Sequence, residues 1–206
     1  MFLILCGKSA SGKDAVAKRL CRRGFTPIVS CTSRPMREGE VAGRDYHFLS
    51  KSTFEGFIEN DIFIEYRSYD TLVDGKPDTW YYGTTKQELP SCNKRDPERK
   101  DFVIILDLDG AKAFMDYYGK ENCFCVSIEA SDSTRTERAM KRGSFDETEW
   151  DRRVEADFEA FSEERVEAVC DDRVYNGSQT RLSSVVGYII RGFENRFYDE
   201  KEDSDE

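Results

Sequence analysis

Five apolar residues, Phe2-Leu3-Ile4-Leu5-Cys6, run without interruption into Gly7-Lys8-Ser9-Ala10-Ser11-Gly12-Lys13-Asp14, and an amphipathic segment starts immediately behind them. A short continuous apolar run predicts a strand covered on both faces. A glycine-rich turn between that strand and a helix lets consecutive backbone N–H groups point into one concavity, where the helix amino terminus adds partial positive charge. The GxxxxGK spacing is weak by itself and gains meaning from this strand-to-helix placement. Gly7, Lys8, Ser9, Ala10, Ser11, Gly12 and Lys13 are therefore read as a phosphate cradle, with Lys13 reaching the β- and γ-phosphates of a nucleotide. Asp14 stands where Ser or Thr is usual. Either its carboxylate ligates Mg2+, or it complements the helix dipole and the metal is held elsewhere.

The same rhythm continues along the chain. Phe2–Cys6, Thr26–Ser30, Phe102–Leu106, Cys123–Ile128 and Arg173–Tyr175 read as strands, three of them near-continuous apolar runs. Between them Gly12–Arg23, Gly110–Tyr118, Ser133–Lys141, Asp151–Val169 and Leu182–Asn195 read as helices. Alternation of this kind predicts an α/β fold with a five-stranded parallel sheet flanked by helices. Residues 1–31 and 85–198 would form that core, with a helical lid at about 139–152. Residues 32–84 break the rhythm with glycines and aromatics and read as a small β-rich insert, with one helix marked by the capping-box spacing of Ser52-Thr53-Phe54-Glu55. Pro90–Asp101 reads as a surface loop, and residues 199–206 as a solvated acidic, disordered tail.

Composition narrows the function classes. The net charge of −10 makes a poor general binder of nucleic acid, though converging basic residues can still hold a small polyanion. No apolar run approaches the length of a membrane span, and no basic-then-apolar leader opens the chain. The seven cysteines fall in no CxxC pair and accompany a single histidine, which argues against zinc and for reduced thiols in a cytoplasmic setting. Cys123 and Cys125, alternating about Phe124, read as strand packing, and His47, between Tyr46 and Phe48, likewise.

The insert carries the most specific motif. Ser30-Cys31-Thr32-Ser33-Arg34-Pro35-Met36-Arg37-Glu38-Gly39-Glu40-Val41-Ala42-Gly43-Arg44-Asp45-Tyr46-His47-Phe48 is followed by Phe63-Ile64-Glu65 and Tyr81-Tyr82-Gly83-Thr84. This pattern, with the phosphate loop before it, resembles the guanylate kinase family, which phosphorylates GMP with ATP, and the likeness runs to about residue 190. The resemblance implies phosphate contacts from Arg34, Arg37, Tyr46 and Tyr82, and base contacts from Ser30, Glu65 and Thr84. The chemistry agrees. Two arginines can fork onto a dianionic phosphate, and a buried glutamate can accept from the N1–H and N2–H2 donors of guanine while adenine would leave it unpaired. Glu40 and Asp45 read either as partners of the arginines or as ordinary structural charges.

In the second half, Asp107 ends an apolar strand at the place for a water-mediated Mg2+ contact. Asp109 is a candidate for base or metal, or for capping the next helix; the family carries a longer stretch, ending in glutamine, before the glycine that corresponds to Gly110. Arg138, Arg142 and Arg153 match the family's lid arginines in spacing, and Gly143–Trp150 reads as a turn able to close. Asn176 sits where the family contacts adenine. The chain is longer than the family around Asp70–Trp80, beside the base pocket, which implies either a drift in substrate choice or simply a longer hairpin turning at Asp74-Gly75. The expected activity is Mg2+- and ATP-dependent phosphorylation of GMP or dGMP by a monomer or homodimer. The alternatives are a kinase for another nucleoside monophosphate and a non-catalytic guanylate-kinase-like binding module.

Overall fold

The computed structural model describes residues 1–73, 76–86, 100–141 and 145–198. Five parallel strands form the main sheet, in the spatial order β2 (Thr26–Pro27), β7 (Phe102–Ile105), β1 (Phe2–Cys6), β8 (Cys123–Glu129), β9 (Asp172–Tyr175). Alternate residues of β1 explain why it is apolar throughout. Leu3 and Leu5 face one core, with Val16 and Leu20 of α1 (Lys13–Cys21) and Val185, Ile189 and Phe193 of α7 (Leu182–Phe197). Phe2, Ile4 and Cys6 face the other, with Ala111 and Phe114 of α3 (Leu108–Tyr118) and Val166 of α6 (Glu163–Val169). Cys123 and Cys125 are fully buried on this second face, as strand packing requires. Among the described residues, no helix is long and apolar enough to cross a membrane.

A second sheet, β4 (His47–Phe48), β3 (Cys31–Thr32), β6 (Lys76–Thr85), β5 (Phe63–Val73), forms the insert, and α2 (Lys51–Glu59) covers it. β5 and β6 pair from Phe63–Thr85 to Val73–Lys76. The extra residues around Asp70–Trp80 therefore lengthen a hairpin, while the Asp74-Gly75 turn lies outside the described residues. The expected loop at 90–101 falls mostly outside them, and residues 199–206 and Arg142 wholly so.

Five details differ from the sequence reading, the first being that the strand expected over Thr26–Ser30 spans only Thr26–Pro27. The α2 cap is Ser50, whose side chain accepts the Thr53 N–H at 3.0 Å, because Ser50 has the extended backbone a cap needs and Ser52 is already helical. The helix expected over Asp151–Val169 is two, α5 (Glu147–Ala160) and α6, broken where Ser162 turns extended and Glu163 and Glu164 open a new first turn. Helix α5 already contains Trp150, so the presumed turn is shorter. His47 is exposed, since β4 is an edge strand with one covered face.

Candidate functional site

The phosphate loop is fixed from behind by the second half of the chain. Gly7 and Gly12 take positive φ values of 140° and 101°, which open the loop for its backbone N–H groups. Asp157 of α5 accepts from Ser9 N at 2.8 Å and Ser9 Oγ at 3.2 Å, and ion-pairs with Arg135 of α4 (Asp132–Met140). Arg135, 1% exposed, donates in turn to Ser9 O at 2.8 Å and Asp132 at 2.8 Å. Arg138 donates to Ser11 O at 2.9 Å and Asn176 O at 2.8 Å, and buried Asn176 donates its amide to Ser11 O at 2.9 Å. Arg138 and Asn176 thus hold the loop backbone. Lys13 folds over the loop, donating to Gly7 O at 2.6 Å and Lys8 O at 3.0 Å. Asp14 stands exposed in the first turn of α1.

Opposite the loop, the insert sheet presents one polar face. A bulge between Phe63 and Glu65 re-aims the chain, so that Phe63 enters the small core while Glu65 pairs with Thr84. From there the two-residue period of a strand carries Glu65, Arg67 and Tyr69 onto the same face as Thr84 and Tyr82. Thr84 Oγ1 donates to Glu65 Oε1 at 2.7 Å and lies 3.2 Å from Ser30 Oγ. Burial, helped by the Asp107 charge, pushes the Glu65 carboxyl up to about 6. Tyr46 packs edge-on against Tyr82, and Tyr82 against Tyr69. Burial raises the pKa of the Tyr46 and Tyr69 hydroxyls, which keeps both as donors.

Arg34 and Glu40 form a bidentate pair at 2.8 and 3.0 Å, stacked over Tyr46 and Phe48, and Glu40 also accepts Arg37 N–H at 2.7 Å. Glu40 is thus the partner that shapes the arginine turn. Asp45 instead holds Arg44, Lys18 and the Val41 N–H. Arg37 and Arg153 line one small cleft with Ser9 and Ala10, and Arg153 pairs with Glu149 at 2.7 Å.

Between loop and insert lies a cavity of about 390 Å3 lined at one end by Gly7, Ser9 and Lys13 and at the other by Ser30, Tyr46, Glu65 and Tyr82. Asp107 sits between the two. Its Oδ1 caps α3 through Gly110 N at 2.6 Å, its Oδ2 accepts the Tyr69 hydroxyl at 2.5 Å, and Arg67 lies 3.7 Å away. Both Asp107 Oδ1 and Glu65 Oε2 would be 3.1 Å from a β-carbon at Gly110, so the carboxylate beside Glu65 is Asp107. Asp109, 61% exposed in its side chain, pairs with Arg165 at 2.6 Å at the cavity rim, because the short turn before Gly110 makes Asp107, not Asp109, the capping residue.

Arg67, Tyr69, Arg135 and Asp157 were not singled out from the sequence. The alternation Glu65-x-Arg67-x-Tyr69 was a usable signal for the first two. Arg135 and Asp157 lie in helices whose charges recur on every side, with nothing in the pattern to mark the buried pair.

A family model described as guanylate kinase matches residues 1–183. The guanylate kinase of Clostridium tetani (strain Massachusetts / E88) is 34% identical over 145 residues, 70% of this chain and 64% of its own length. Guanylate kinase 2, chloroplastic/mitochondrial, of Oryza sativa subsp. japonica is 35% identical over 146 residues, 69% of this chain and 47% of its own. The match thus spans less than two thirds of each of these relatives. The crystal structure of guanylate kinase from Anaplasma phagocytophilum shares the fold, with a TM-score of 0.66 at 21% identity over 97% of this chain and 87% of that one. A phosphate loop braced by Arg135, Arg138 and Asn176, facing a Glu65 pocket on an inserted sheet, and a family match over residues 1–183 place this chain in the guanylate kinase family.

Proposed function

We propose that the chain is a nucleoside monophosphate kinase that transfers the γ-phosphoryl group of ATP to GMP or dGMP. The observation that carries this reading is the single cavity with the phosphate loop at one end and the Ser30–Thr84–Glu65 hydrogen-bond chain at the other. An ionised Glu65 would accept from both donors of the guanine edge, and Ser30 and Thr84 would face its O6 and N7 side. Arg34, Arg37, Tyr46 and Tyr82 would hold the acceptor phosphate. Lys13 would leave the loop carbonyls for the phosphates of ATP. Phosphoryl transfer asks mainly for positioning and charge neutralisation, so a direct in-line reaction needs no covalent intermediate.

Arg153, which lines the small cleft together with Arg37, would approach the transferring group from the helical side. Arg138 would contribute there only by releasing the carbonyls of Ser11 and Asn176, so its support of the loop is its main part. Mg2+ suits the donor set, because Asp14 offers a hard oxygen next to Lys13 while Asp107, with both oxygens engaged, would act through water. When bound, Mg2+ would supply positive charge that offsets the negative charge of the nucleotide phosphates.

The test is ADP production from Mg-ATP with GMP, dGMP, AMP, CMP, UMP and dTMP in turn. Preference for GMP or dGMP supports the reading. Preference for another base keeps the kinase and removes Glu65 as guanine reader, and silence with all six, despite ATP binding, leaves a binding module.

A further inference from the structure

Three cysteines far apart in the sequence meet in the core behind the phosphate loop. Cys6 is the last residue of β1, Cys125 lies on β8, and Cys170 caps the end of α6. Cys6 and Cys125 sulfurs are 3.7 Å apart, Cys125 and Cys170 sulfurs are 3.7 Å apart, and all three lie within 4.8 Å of one another. Cys6 and Cys125 are fully buried, while Cys170 is partly exposed. None of the three touches the nucleotide cavity, so the proposed reaction leaves the cluster without a role.

We propose that Cys6, Cys125 and Cys170 form a binding site for a thiophilic d10 cation of the zinc class. A zinc–thiolate bond of about 2.3 Å places two sulfurs of a tetrahedral site about 3.8 Å apart. The two separations of 3.7 Å already match that spacing, so coordination asks only for small side-chain adjustments. The sulfurs are also held in place. Cys125 N donates to Asp171 at 2.8 Å, and Asp171 N donates to Cys125 O at 2.8 Å, which locks the strand to the turn carrying Cys170. Cys125 contacts both of the other sulfurs, donating to Cys170 and lying against Cys6, so it stands at the centre of the cluster.

The partly exposed side at Cys170 supplies an entry path from solvent, from which a water would complete the coordination. Binding releases S–H protons to solvent, because the thiolate is the ligand, so affinity rises with pH. The ion would tie β1 to β8 and to the start of β9 directly beneath Gly7, linking the loop's base to three elements at once.

The experiment titrates the reduced full-length chain, in a non-thiol reductant, with Cd2+ and follows sulfur-to-metal charge-transfer absorption in the ultraviolet. One ion per chain is expected. Cys170→Ser should weaken binding more than about 100-fold, since even loss of an outer partner costs 10–100-fold at such sites. Cys21→Ser, away from the cluster, should bind as the parent does. Absence of the band, or a band that survives Cys170→Ser, overturns the proposal. If Cys170→Ser does not fold, alkylation of the parent mapped by mass spectrometry decides: Cys170 must be protected by the ion, and equal labelling with and without Cd2+ overturns the site.

Discussion

The Tyr69 hydroxyl stands 2.5 Å from Asp107 Oδ2, joining the long hairpin of the insert to the residue that caps α3. The extra length of β5 and β6 thus closes one wall of the nucleotide cavity instead of extending away from it. A hydrogen bond of this partly exposed kind is worth about 1 kcal/mol. Tyr69→Phe should therefore raise the KM for the monophosphate about fivefold, since 1.4 kcal/mol is a factor of ten, and leave kcat within about twofold. Steady-state kinetics with GMP varied and ATP saturating would check this; an unchanged KM removes the hairpin from the pocket.

Glu65 sets a pH dependence whose sign follows from its burial. Its carboxyl, pushed up to about 6, must lose its proton to accept from guanine. Affinity for GMP should fall as pH drops through about 6, and Glu65→Gln should flatten that part of the profile. Comparing the two proteins cancels the titration of the GMP phosphate itself. Stability runs the opposite way. A folded-state carboxyl pKa above the unfolded one favours the folded chain at low pH, and the benefit disappears as pH rises past about 6. Unliganded Glu65→Gln should thus gain stability over the parent above that pH, by about 2 kcal/mol, and denaturant titrations at pH 5 and pH 8 would measure it.

Lys13 tests the chemistry separately from binding. Lys13→Ala should lower kcat by about a hundred- to a thousandfold, the scale of losing one preorganised charge contact in the transition state. GMP affinity, measured by calorimetry, should stay within about twofold. Turnover equal to the parent would exclude Lys13 from the transfer.

The Arg135–Asp157 pair makes a stability prediction. Asp157→Ala removes the buried carboxylate that pairs with Arg135 and accepts from Ser9, leaving Arg135 only the exposed Asp132 and the Ser9 carbonyl, which should cost about 3 kcal/mol. For a chain of this size that is a fall in Tm of about 6–12 °C. Scanning calorimetry would see it readily, and a change of a degree or less would mean the pair contributes little.

How far the sequence spoke differs from element to element. Phe2–Cys6 and Phe102–Ile105 were legible because a strand buried on both faces cannot afford a polar residue, so burial itself writes the pattern. The Thr26–Ser30 strand shrinks to Thr26–Pro27 because an edge strand has one neighbour; Ile28 N still donates to Val103 O at 2.9 Å, and Pro27, without an N–H, sits where the edge needs no donor. Glu65 and Thr84 stood out by motif, yet their meeting depends on a bulge at Ile64 that no local signal announces. The cysteines show a different limit: Cys123 and Cys125 pack in the sheet as read, but spacing rules detect ligands that are neighbours along the chain, and Cys6, Cys125 and Cys170 become neighbours only through the parallel sheet.

The placement of β1 between β7 and β8 has a consequence for how the protein is made. The residues that brace the phosphate loop, from Arg135 to Asn176, leave the ribosome long after the loop itself, and a chain that has emerged only as far as β7 has the loop but nothing to hold it. Nucleotide cannot reward early folding, because its cradle is completed by nearly the last strand. Contacts of such sequence separation form slowly, and until they do the apolar strand stays open to chaperones and to unwanted pairing. Competence for ATP should therefore appear late and abruptly in synthesis, once the chain has emerged past Asn176.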